Sequence, residues 1–419
     1  MEQTVNMRFL IMGLIITALL IVSTGIYTLL SFHREVVQPG QEGKPSQPVV
    51  ASSVKPRDAV NGFAFKIFKE MYKNFSEENL FISPYSIFTA LAMTYEGARG
   101  KTAEEMREVL CIEQDNETFH EYVKMLYDLF NENNISTANA LWPRIGLQLV
   151  QDYVNVIRTF YNGEIKPIDF SDREKAARII NDWIENQTKG LIKDMIPPNA
   201  IDPYLTTLII TNAIHFKGIW KVKFDEANTT DREFTTADNE VIKVPTMCLK
   251  GVYFNYTEND LMQVLELPYE NCSISMLIIL PKEGYNLSSV LDYLNESNFL
   301  QLVQSMHETK IDVYLPRFKI ETPLYKLKEY LKNLGMRIAF TPSADFTGIA
   351  PRVMWIDKVL HKAFVEVDEE GTEAAAATAV IMVEIGKIFD CNHPFLFTIF
   401  HKDTGTILFI GSVVDPRSD

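Results

Sequence analysis

The second half of the chain carries a series of strand-like segments, and this series restricts the possible folds more than any other feature of the sequence. Six runs are rich in β-branched and aromatic residues: 205–216, 274–281, 310–320, 363–370, 395–400 and 406–414. Some runs alternate apolar with polar residues and others are continuously apolar, a mixture typical of sheets covered on one or on both faces. We therefore predict extended β-sheets as the frame of the fold.

The first half of the chain has the patterns of helices. Ser83 and Pro84 are typical residues for the start of the long apolar helix that follows them. Thr102 and Glu105 have the spacing of a capping box that opens the next helix, and residues 172–190 predict a further helix that ends in glycine. Helices followed by extended sheets indicate an α+β fold.

The amino-terminal part of the chain differs from the rest. Residues 9–32 contain no charged side chain, and a stretch of this length is enough to cross a membrane as a helix. Residues 1–8 flank it, residues 33–57 have the composition of a flexible linker, and no later break in composition divides residues 58–419. We predict one large domain on an uncleaved membrane anchor. A cleaved signal peptide is the alternative, and the orientation of the anchor stays open.

Two further features bear on the location of the domain. Nine Asn-X-Ser/Thr sequences fit a body outside the cytoplasm, which is anchored by residues 9–32, or secreted if that segment is cleaved. These sequences begin at Asn74, Asn116, Asn134, Asn186, Asn228, Asn255, Asn271, Asn286 and Asn295. Such a location permits disulfides, but the spacing of Cys111, Cys248, Cys272 and Cys391 leaves free thiols and a disulfide equally open.

Charge and motifs argue against several classes of function. The formal net charge of -15 and the lack of a basic stripe argue against nucleic acid as a partner. The chain has no G-x-S-x-G, H-E-x-x-H or Walker sequence, and its seven histidines match no nucleophile at motif spacing. We therefore expect a protein that is not an enzyme and that uses no metal and no cofactor.

The most unusual segment lies between two predicted strands, at residues 369–384. It contains four consecutive alanines, and Ala and Glu favour a short helix. In an extended conformation, the even-numbered residues from Thr372 to Met382 share one face and the odd-numbered residues share the other. Both faces are small at the start, so such a strand could slide between two existing strands at little steric cost. Composition alone leaves helix and strand open.

Six stretches, in order along the chain, resemble the motifs of the serpin family. They are NLFISPYSI (79–87), ITNAIHFKGIWKVKF (210–224), LPRFKIE (315–321), residues 331–349, VLHKAFVEVDEEGTEAAAATA (359–379), and HPFLFTI (393–399) with GTILFIGSVVDP (405–416). The resemblance covers residues 58–419. It implies a serpin fold with three β-sheets, about nine helices and an exposed reactive-centre loop. It also implies a serine protease inhibitor with a metastable fold, a suicide substrate whose cleaved loop inserts into the main sheet and traps the covalent acyl-enzyme.

The matching motifs carry the family's site residues over to this chain. They imply a hinge at Glu369, Glu370, Gly371, Thr372, Glu373, Ala374, Ala375, Ala376, Ala377 and Thr378. They also imply a polar cluster below the opening of the main sheet, formed by Ser83, Ser86, Asn212 and His361, with Trp220 near the top of the opening. The small uncharged Thr372 and the residues Ala374 to Ala377 favour inhibition over the alternative, a non-inhibitory serpin that acts as a binding, carrier or chaperone protein.

Family spacing, counted from Glu369, places the cleaved bond between Ile385 and Gly386, and leaves Glu384 and Lys387 as alternatives for the residue before the cut. Ile385 suits an elastase-like or subtilisin-like pocket, Glu384 a Glu-preferring enzyme, and Lys387 a trypsin-like pocket. The expected partner is a target protease of the serine or the cysteine class, held in a covalent complex by a monomer.

Overall fold

The computed structural model describes residues 54–132, 136–190, 192–215, 218–270, 273–371 and 387–417. The helices in these ranges are α1 (Val54–Tyr72), α2 (Pro84–Tyr95), α3 (Gly100–Val109), α4 (Asn116–Glu132), α5 (Gln151–Phe160), α6 (Arg173–Gln187), α7 (Leu287–Tyr293), α8 (Glu296–Ser305) and α9 (Lys328–Leu334). The strands are β1 (Leu80–Ile82), β2 (Ser136–Pro143), β3 (Glu164–Ile165), β4 (Leu208–His215), β5 (Thr230–Thr235), β6 (Val241–Glu258), β7 (Met262–Pro268), β8 (Ile274–Pro281), β9 (His307–Pro316), β10 (Phe318–Glu321), β11 (Tyr325–Lys326), β12 (Lys358–Val367), β13 (Lys387–Asp390), β14 (Phe395–His401) and β15 (Thr406–Val413).

Local sequence explains where several helices begin and end. The side chain of Ser83 caps α2 by accepting a hydrogen bond from the backbone N–H of Ser86, and Pro84 occupies the first turn. Asp172 caps α6 in the same way. Gly190, with a φ of +83°, follows α6, as the sequence predicts.

Two boundary predictions are wrong. Helix α1 begins at Val54, so the last residues of the predicted linker 33–57 are helical. Helix α3 begins at Gly100, and Thr102 and Glu105 lie inside it. Their side chains accept backbone hydrogen bonds from a distant loop, Thr102 from Asp345 N–H and Glu105 from Arg337 N–H. The capping-box pair therefore joins two parts of the fold instead of starting a helix.

The described strands form two sheets, and the predicted α+β class is confirmed. The nine-stranded sheet has the order β1-β15-β14-β8-β7-β6-β9-β13, with β5 paired to β6. The six-stranded sheet has the order β10-β12-β4-β2-β3, with β11 paired to β12. Three sheets were expected. Two are found because the long strand β6 pairs with β5 and β9 along part of its length and with β7 at its end, which joins all of these strands.

The six-stranded sheet has a parallel pair of strands at its centre. β12 runs parallel to β4, with Lys358 opposite Ile209 and Phe364 opposite His215. On the outer sides of this pair, β10 is antiparallel to β12 and β2 is antiparallel to β4. We call the boundary between β4 and β12 the seam.

Both faces of the seam are covered. Val359, Ala363 and Val365 of β12 belong to the main hydrophobic core. On the opposite face, Ile209 of β4 and Leu360 of β12 pack in a second buried cluster with apolar side chains of α6. Side chains of α6 therefore share a buried cluster with the start of both strands.

Two predictions, the membrane span and the pairing of the cysteines, concern residues that the structure describes only in part. Within the described ranges, no helix combines the length and the apolar character needed to span a membrane. The span predicted at residues 9–32 lies outside those ranges. Cys111, Cys248 and Cys391 are free thiols, and Cys272 lies outside the described residues.

Candidate functional site

The predicted hinge begins where β12 ends, and Trp220 holds its first residues. The backbone N–H of Trp220 donates to the carbonyl oxygen of Glu370 at 2.9 Å. Its indole Nε1 donates to the carbonyl oxygen of Asp368 at 3.0 Å. The ring is buried and stacks on Tyr269 with a centroid separation of 4.6 Å. Trp220 thus fixes the start of the hinge through its main chain and its side chain.

Glu369, the first residue of the predicted hinge, is buried although it is charged. Its side chain is 3% exposed, and its Oε1 accepts a hydrogen bond from Arg317 Nε at 2.7 Å within an ion pair. The hydroxyl of Thr229 donates to the same oxygen, and the N–H of Phe224 donates to the carbonyl oxygen of Glu369 at 2.9 Å. Removing one partner of such a pair would leave a buried charge uncompensated. The pair therefore ties the hinge to the turn between β9 and β10.

Gly371 occupies a position that only glycine fits. Its φ is +106°, and a Cβ there would lie 2.4 Å from the backbone nitrogen of Trp220 and 2.5 Å from the carbonyl oxygen of Gly218. Gly371 forms an isolated antiparallel bridge with Asp368, so the chain reverses direction at this point. The remaining predicted hinge residues lie outside the described ranges: Thr372, Glu373, Ala374, Ala375, Ala376, Ala377 and Thr378.

A row of polar residues crosses the middle of the six-stranded sheet. In the backbone register, Asn139 of β2 faces Asn212 of β4, and Asn212 faces His361 of β12. Tyr325 of β11 faces His361 from the other side. His361 is fully buried, and its Nε2 accepts a hydrogen bond from the backbone N–H of Ser83 at 3.1 Å. The fold thus places the predicted Asn212 next to His361 in the sheet, and the predicted Ser83 is hydrogen-bonded to His361.

Ser83 and Ser86 connect helix α2 to this row. Ser83 Oγ donates to the carbonyl oxygen of Leu408 in β15 at 2.7 Å. Ser86 Oγ donates to Oδ1 of Asn139 at 2.9 Å. Asn139 is not among the predicted site residues. Its place in the apolar run TANALW, where an amide would need a partner if buried, was the signal that could have identified it.

Replacing His361 with alanine is expected to destabilise the fold, because the buried N–H of Ser83 loses its acceptor. An unpaired buried donor costs about 1–3 kcal/mol. Urea unfolding would measure the loss. His307→Ala, which truncates an exposed histidine, is the control and should change the free energy of unfolding by less than about 0.5 kcal/mol. Equal effects of the two substitutions would contradict the role of His361.

Of the residues proposed to flank the reactive bond, the structure describes only Lys387. Glu384, Ile385 and Gly386 lie outside the described ranges. Lys387 is the first residue of β13, a strand that runs parallel to β9 and places Lys387 opposite Ile311. The predicted loop therefore ends in a sheet strand at Lys387.

The side chain of Lys387 is part of a charged cluster. It forms an ion pair with Glu258 and lies 4.9 Å from the ring centroid of Tyr256. Glu258 also pairs with Lys282 at 2.8 Å. The hydrogen bonds from Lys282 and Lys387 lower the pKa of the Glu258 carboxyl to about 2. The cluster fastens β13 to the end of β6.

Glu258→Gln is expected to lower the free energy of unfolding at pH 7 by about 1 kcal/mol, since partly exposed ion pairs contribute little. The pKa of Glu258 in the fold lies below its ordinary value of 4.5, so its contribution is complete above that pH and is lost as the pH falls towards about 2. Urea unfolding from pH 7 to pH 3 should show the difference between wild type and variant shrinking. A difference that stays constant with pH would contradict this account.

The geometry defines a class of protein: an α+β domain in which a strand of a parallel pair, β12, ends in residues fixed by Trp220 and Arg317, and in which residues 372–386 follow that end in sequence and precede β13. A family model described as serpin (serine protease inhibitor) matches residues 58–416. The chain belongs to the serpin family, and the serpin fold predicted from the motifs is confirmed. Family membership supports protease inhibition in general.

Individual relatives agree with this assignment. An uncharacterized serpin-like protein of Thermococcus kodakarensis is 41% identical over 93% of this chain and 90% of its own length. Human serpin B4 is 36% identical over 86% of this chain and 99% of its own. The crystal structure of Serpin48 from the insect Tenebrio molitor has a TM-score of 0.78 and 33% identity, and the match covers 87% of this chain and 98% of Serpin48.

Proposed function

We propose that this chain inhibits a serine protease as a suicide substrate. The placement of the hinge carries the proposal, because β12 ends in residues fixed to Trp220 and Arg317 directly beside the seam. Residues 372–386 connect this anchored end to β13 and contain the bond between Ile385 and Gly386. A protease that cuts this bond frees one end of the segment while Gly371 still holds the other.

The bridge between Asp368 and Gly371 supplies a register for an inserted strand. If the register continues, each following residue faces one residue earlier in β12, so that Thr372 faces Val367 and Ala374 faces Val365. Directly opposed residues of antiparallel strands point to the same face of a sheet. Val367 and Val365 are buried, so the even-numbered residues of the segment would enter the core. At the start of the segment these residues are Thr372, Ala374 and Ala376, whose small side chains suit that position.

Insertion would open the seam and stop the protease. The new strand would lie antiparallel to both β4 and β12, and its backbone groups would gain ladder hydrogen bonds on both sides. Opening the seam would also separate Ile209 from Leu360 within the buried cluster that these residues share with α6. The acyl-enzyme would travel with the segment, and a distorted protease deacylates slowly because catalysis requires accurate positioning.

Within this proposal, Ile385 is favoured as the residue before the cut. Lys387 is held in β13 and paired with Glu258, so a protease pocket would have to extract it from a sheet. An apolar Ile385 predicts an elastase-like or subtilisin-like target, and Glu384 remains the alternative for a Glu-preferring enzyme. The protein acts by being consumed, and we assign it no catalytic activity of its own.

The experiment is to mix the full chain, in a mild detergent, with subtilisin, elastase or trypsin. SDS gels should show a covalent band with subtilisin or elastase, and mass spectrometry should find a released peptide that begins at Gly386. Clean cleavage without a covalent band, or no reaction with all three enzymes, would contradict trapping and favour a non-inhibitory binding role.

We further propose that residues 9–32 anchor the inhibitor to a membrane, with the domain outside the cytoplasm. The support is the uncharged stretch followed by a linker. Alkaline extraction of membranes should leave the chain in the pellet, and its mature amino terminus should precede residue 9. A soluble chain that begins after residue 32 would contradict the anchor and identify a cleaved signal peptide.

A further inference from the structure

The Asn-X-Ser/Thr sequences, or sequons, play no part in the proposed trapping, and the structure divides them into two groups. A sequon is defined by its asparagine and by the hydroxyl two residues later, so a transferase that modifies it must reach both side chains. Modified sequons lie on the protein surface. The sequons at Asn134 and Asn271 lie outside the described ranges. For the others, exposure of the asparagine and of the hydroxyl residue separates usable sequons from unusable ones.

The sequon at Asn255 is blocked by the fold. Asn255 lies within β6, and its Nδ2 donates to the carboxylate of Glu266 at 2.7 Å. Glu266 is buried, and so is Thr257, the hydroxyl residue of this sequon. The hydroxyl of Thr257 is hydrogen-bonded to Ser305 Oγ at 3.0 Å. A sugar on Asn255 would disturb the partner of a buried charge, and a transferase could not reach the hydroxyl.

Two further sequons lie in helices, and their hydroxyl groups are already hydrogen-bonded. Asn186 is part of α6, and the hydroxyl of the fully buried Thr188 donates to a backbone carbonyl of that helix at 2.8 Å. Asn116 is the first residue of α4, and the hydroxyl of Thr118 donates to the carboxylate of Asp115 at 3.1 Å. We therefore expect no sugar at Asn186 or Asn116.

The remaining four sequons present both groups to solvent. In each of them the asparagine and the hydroxyl residue are exposed, and the asparagine lies outside the α-helices and strands. A transferase could therefore reach both groups on the folded surface. The four pairs are Asn74 with Ser76, Asn228 with Thr230, Asn286 with Ser288, and Asn295 with Ser297.

Two of these asparagines also cap helices, and a sugar is compatible with both caps. Oδ1 of Asn286 accepts the backbone N–H of Ser289 at 3.0 Å at the start of α7. Oδ1 of Asn295 accepts the backbone N–H of Asn298 at 2.9 Å at the start of α8. An N-linked sugar is attached to Nδ2 and leaves Oδ1 unchanged. The modified asparagines would therefore still cap their helices.

Three of the four sites lie around helix α1. Asn74 follows the end of this helix by two residues. Lys69, in the last turn of α1, lies near the charges of Asp292 in α7 and Glu296 in α8, which places these two helices and their capping asparagines beside α1. None of the four sites belongs to β4, β12 or α6. Modification is therefore compatible with insertion at the seam.

We propose that Asn74, Asn228, Asn286 and Asn295 carry N-linked oligosaccharides. This inference rests on the proposed location of the domain outside the cytoplasm. The co-substrate is a lipid-linked oligosaccharide. Nδ2 bonds to the anomeric carbon of its first sugar, the bond from that carbon to the phosphate of the lipid carrier breaks, and the leaving phosphate takes up the proton that Nδ2 loses.

The test is to produce the full chain in cultured eukaryotic cells and to isolate the exported form by surface biotinylation. Enzymatic removal of N-linked sugars in ¹⁸O-labelled water converts each modified asparagine into labelled aspartate, which mass spectrometry locates. Label is expected at Asn74, Asn228, Asn286 and Asn295, and none at Asn255. An exported chain without label at the four sites, or with equal label at Asn255, overturns the inference. A chain that stays in the cytoplasm overturns the proposed location as well. Trapping of subtilisin, assayed on the same material, tests the proposed inhibition separately.

The variant Ser288→Ala tests one site while its asparagine stays in place. This substitution removes the sequon but keeps Asn286 as the cap of α7, so the exported chain should be lighter than wild type by one oligosaccharide on SDS gels. Ser288→Thr keeps the sequon and should run like wild type. Equal mobility of wild type and Ser288→Ala overturns the site at Asn286.

Discussion

Thr372→Arg is expected to convert the inhibitor into an ordinary substrate. In the register set at Gly371, residue 372 would face the buried Val367 on the core side of the six-stranded sheet. An arginine at that point would carry an unpaired charge into an apolar environment, which costs at least several kcal/mol. Insertion would then become slower than deacylation, and the protease would leave after cutting the loop.

Titration of subtilisin would measure this change. The number of inhibitor molecules consumed per enzyme should rise from about one to more than about ten, and the covalent band should disappear, since each 1.4 kcal/mol shifts the partition about tenfold. Glu373→Arg is the matched control: it adds the same cation one residue later, opposite the exposed Glu366 on the other face. That variant should still trap. If both variants trap, or neither does, the inferred register is wrong.

Gly371→Ala should lower the free energy of unfolding by about 3–5 kcal/mol. A residue with a side chain at positive φ costs about 1–3 kcal/mol, and forcing atoms into occupied space costs a similar amount again. At Gly371 the occupied space is backbone, the nitrogen of Trp220 and the carbonyl oxygen of Gly218, and neither can rotate away as a side chain can.

Gly284→Ala separates these two costs. Gly284 has a comparable φ of +88°, and a Cβ added there would meet nothing within 4 Å, so only the backbone cost applies. We expect a loss of about 1–2 kcal/mol for this control in the same urea experiment. Losses of equal size at the two positions would show that the contact of Gly371 with the Trp220 segment contributes nothing.

The sequence predicted the strands whose apolar character is continuous. β8, β14 and β15 are buried along their whole length, and their nearly continuous runs of apolar residues predict this burial. The long strand β6 was not predicted, because Pro245 and Gly251 interrupt its pattern and its register shifts between Leu249 and Val252. Its continuity depends on pairing with β9, which local sequence does not reveal.

The residues of the candidate site also fall into two groups: those that the sequence predicted and those that only the structure shows. Motifs located Ser83, Ser86, His361 and Trp220, and the structure gives each of them a buried or part-buried hydrogen bond. Arg317 was not predicted, although LPRFKIE was among the matching stretches. Its role comes from meeting Glu369 across 52 residues of sequence, and only the assembled fold brings the two charges together.

The seam also sets a condition on how the chain folds. Strand β12 has two possible partners: the residues that immediately follow it, through the tight reversal at Asp368 and Gly371, or β4, which pairs Lys358 with the distant Ile209. Closing the longer loop costs about 3 kcal/mol more in chain entropy, so the local hairpin is the faster choice. The native pairing is the long-range one. The ion pair of Glu369 with Arg317 and the hydrogen bond from Trp220 to Glu370 hold these two residues in place, and we expect these contacts to oppose a longer local hairpin and to favour the native pairing.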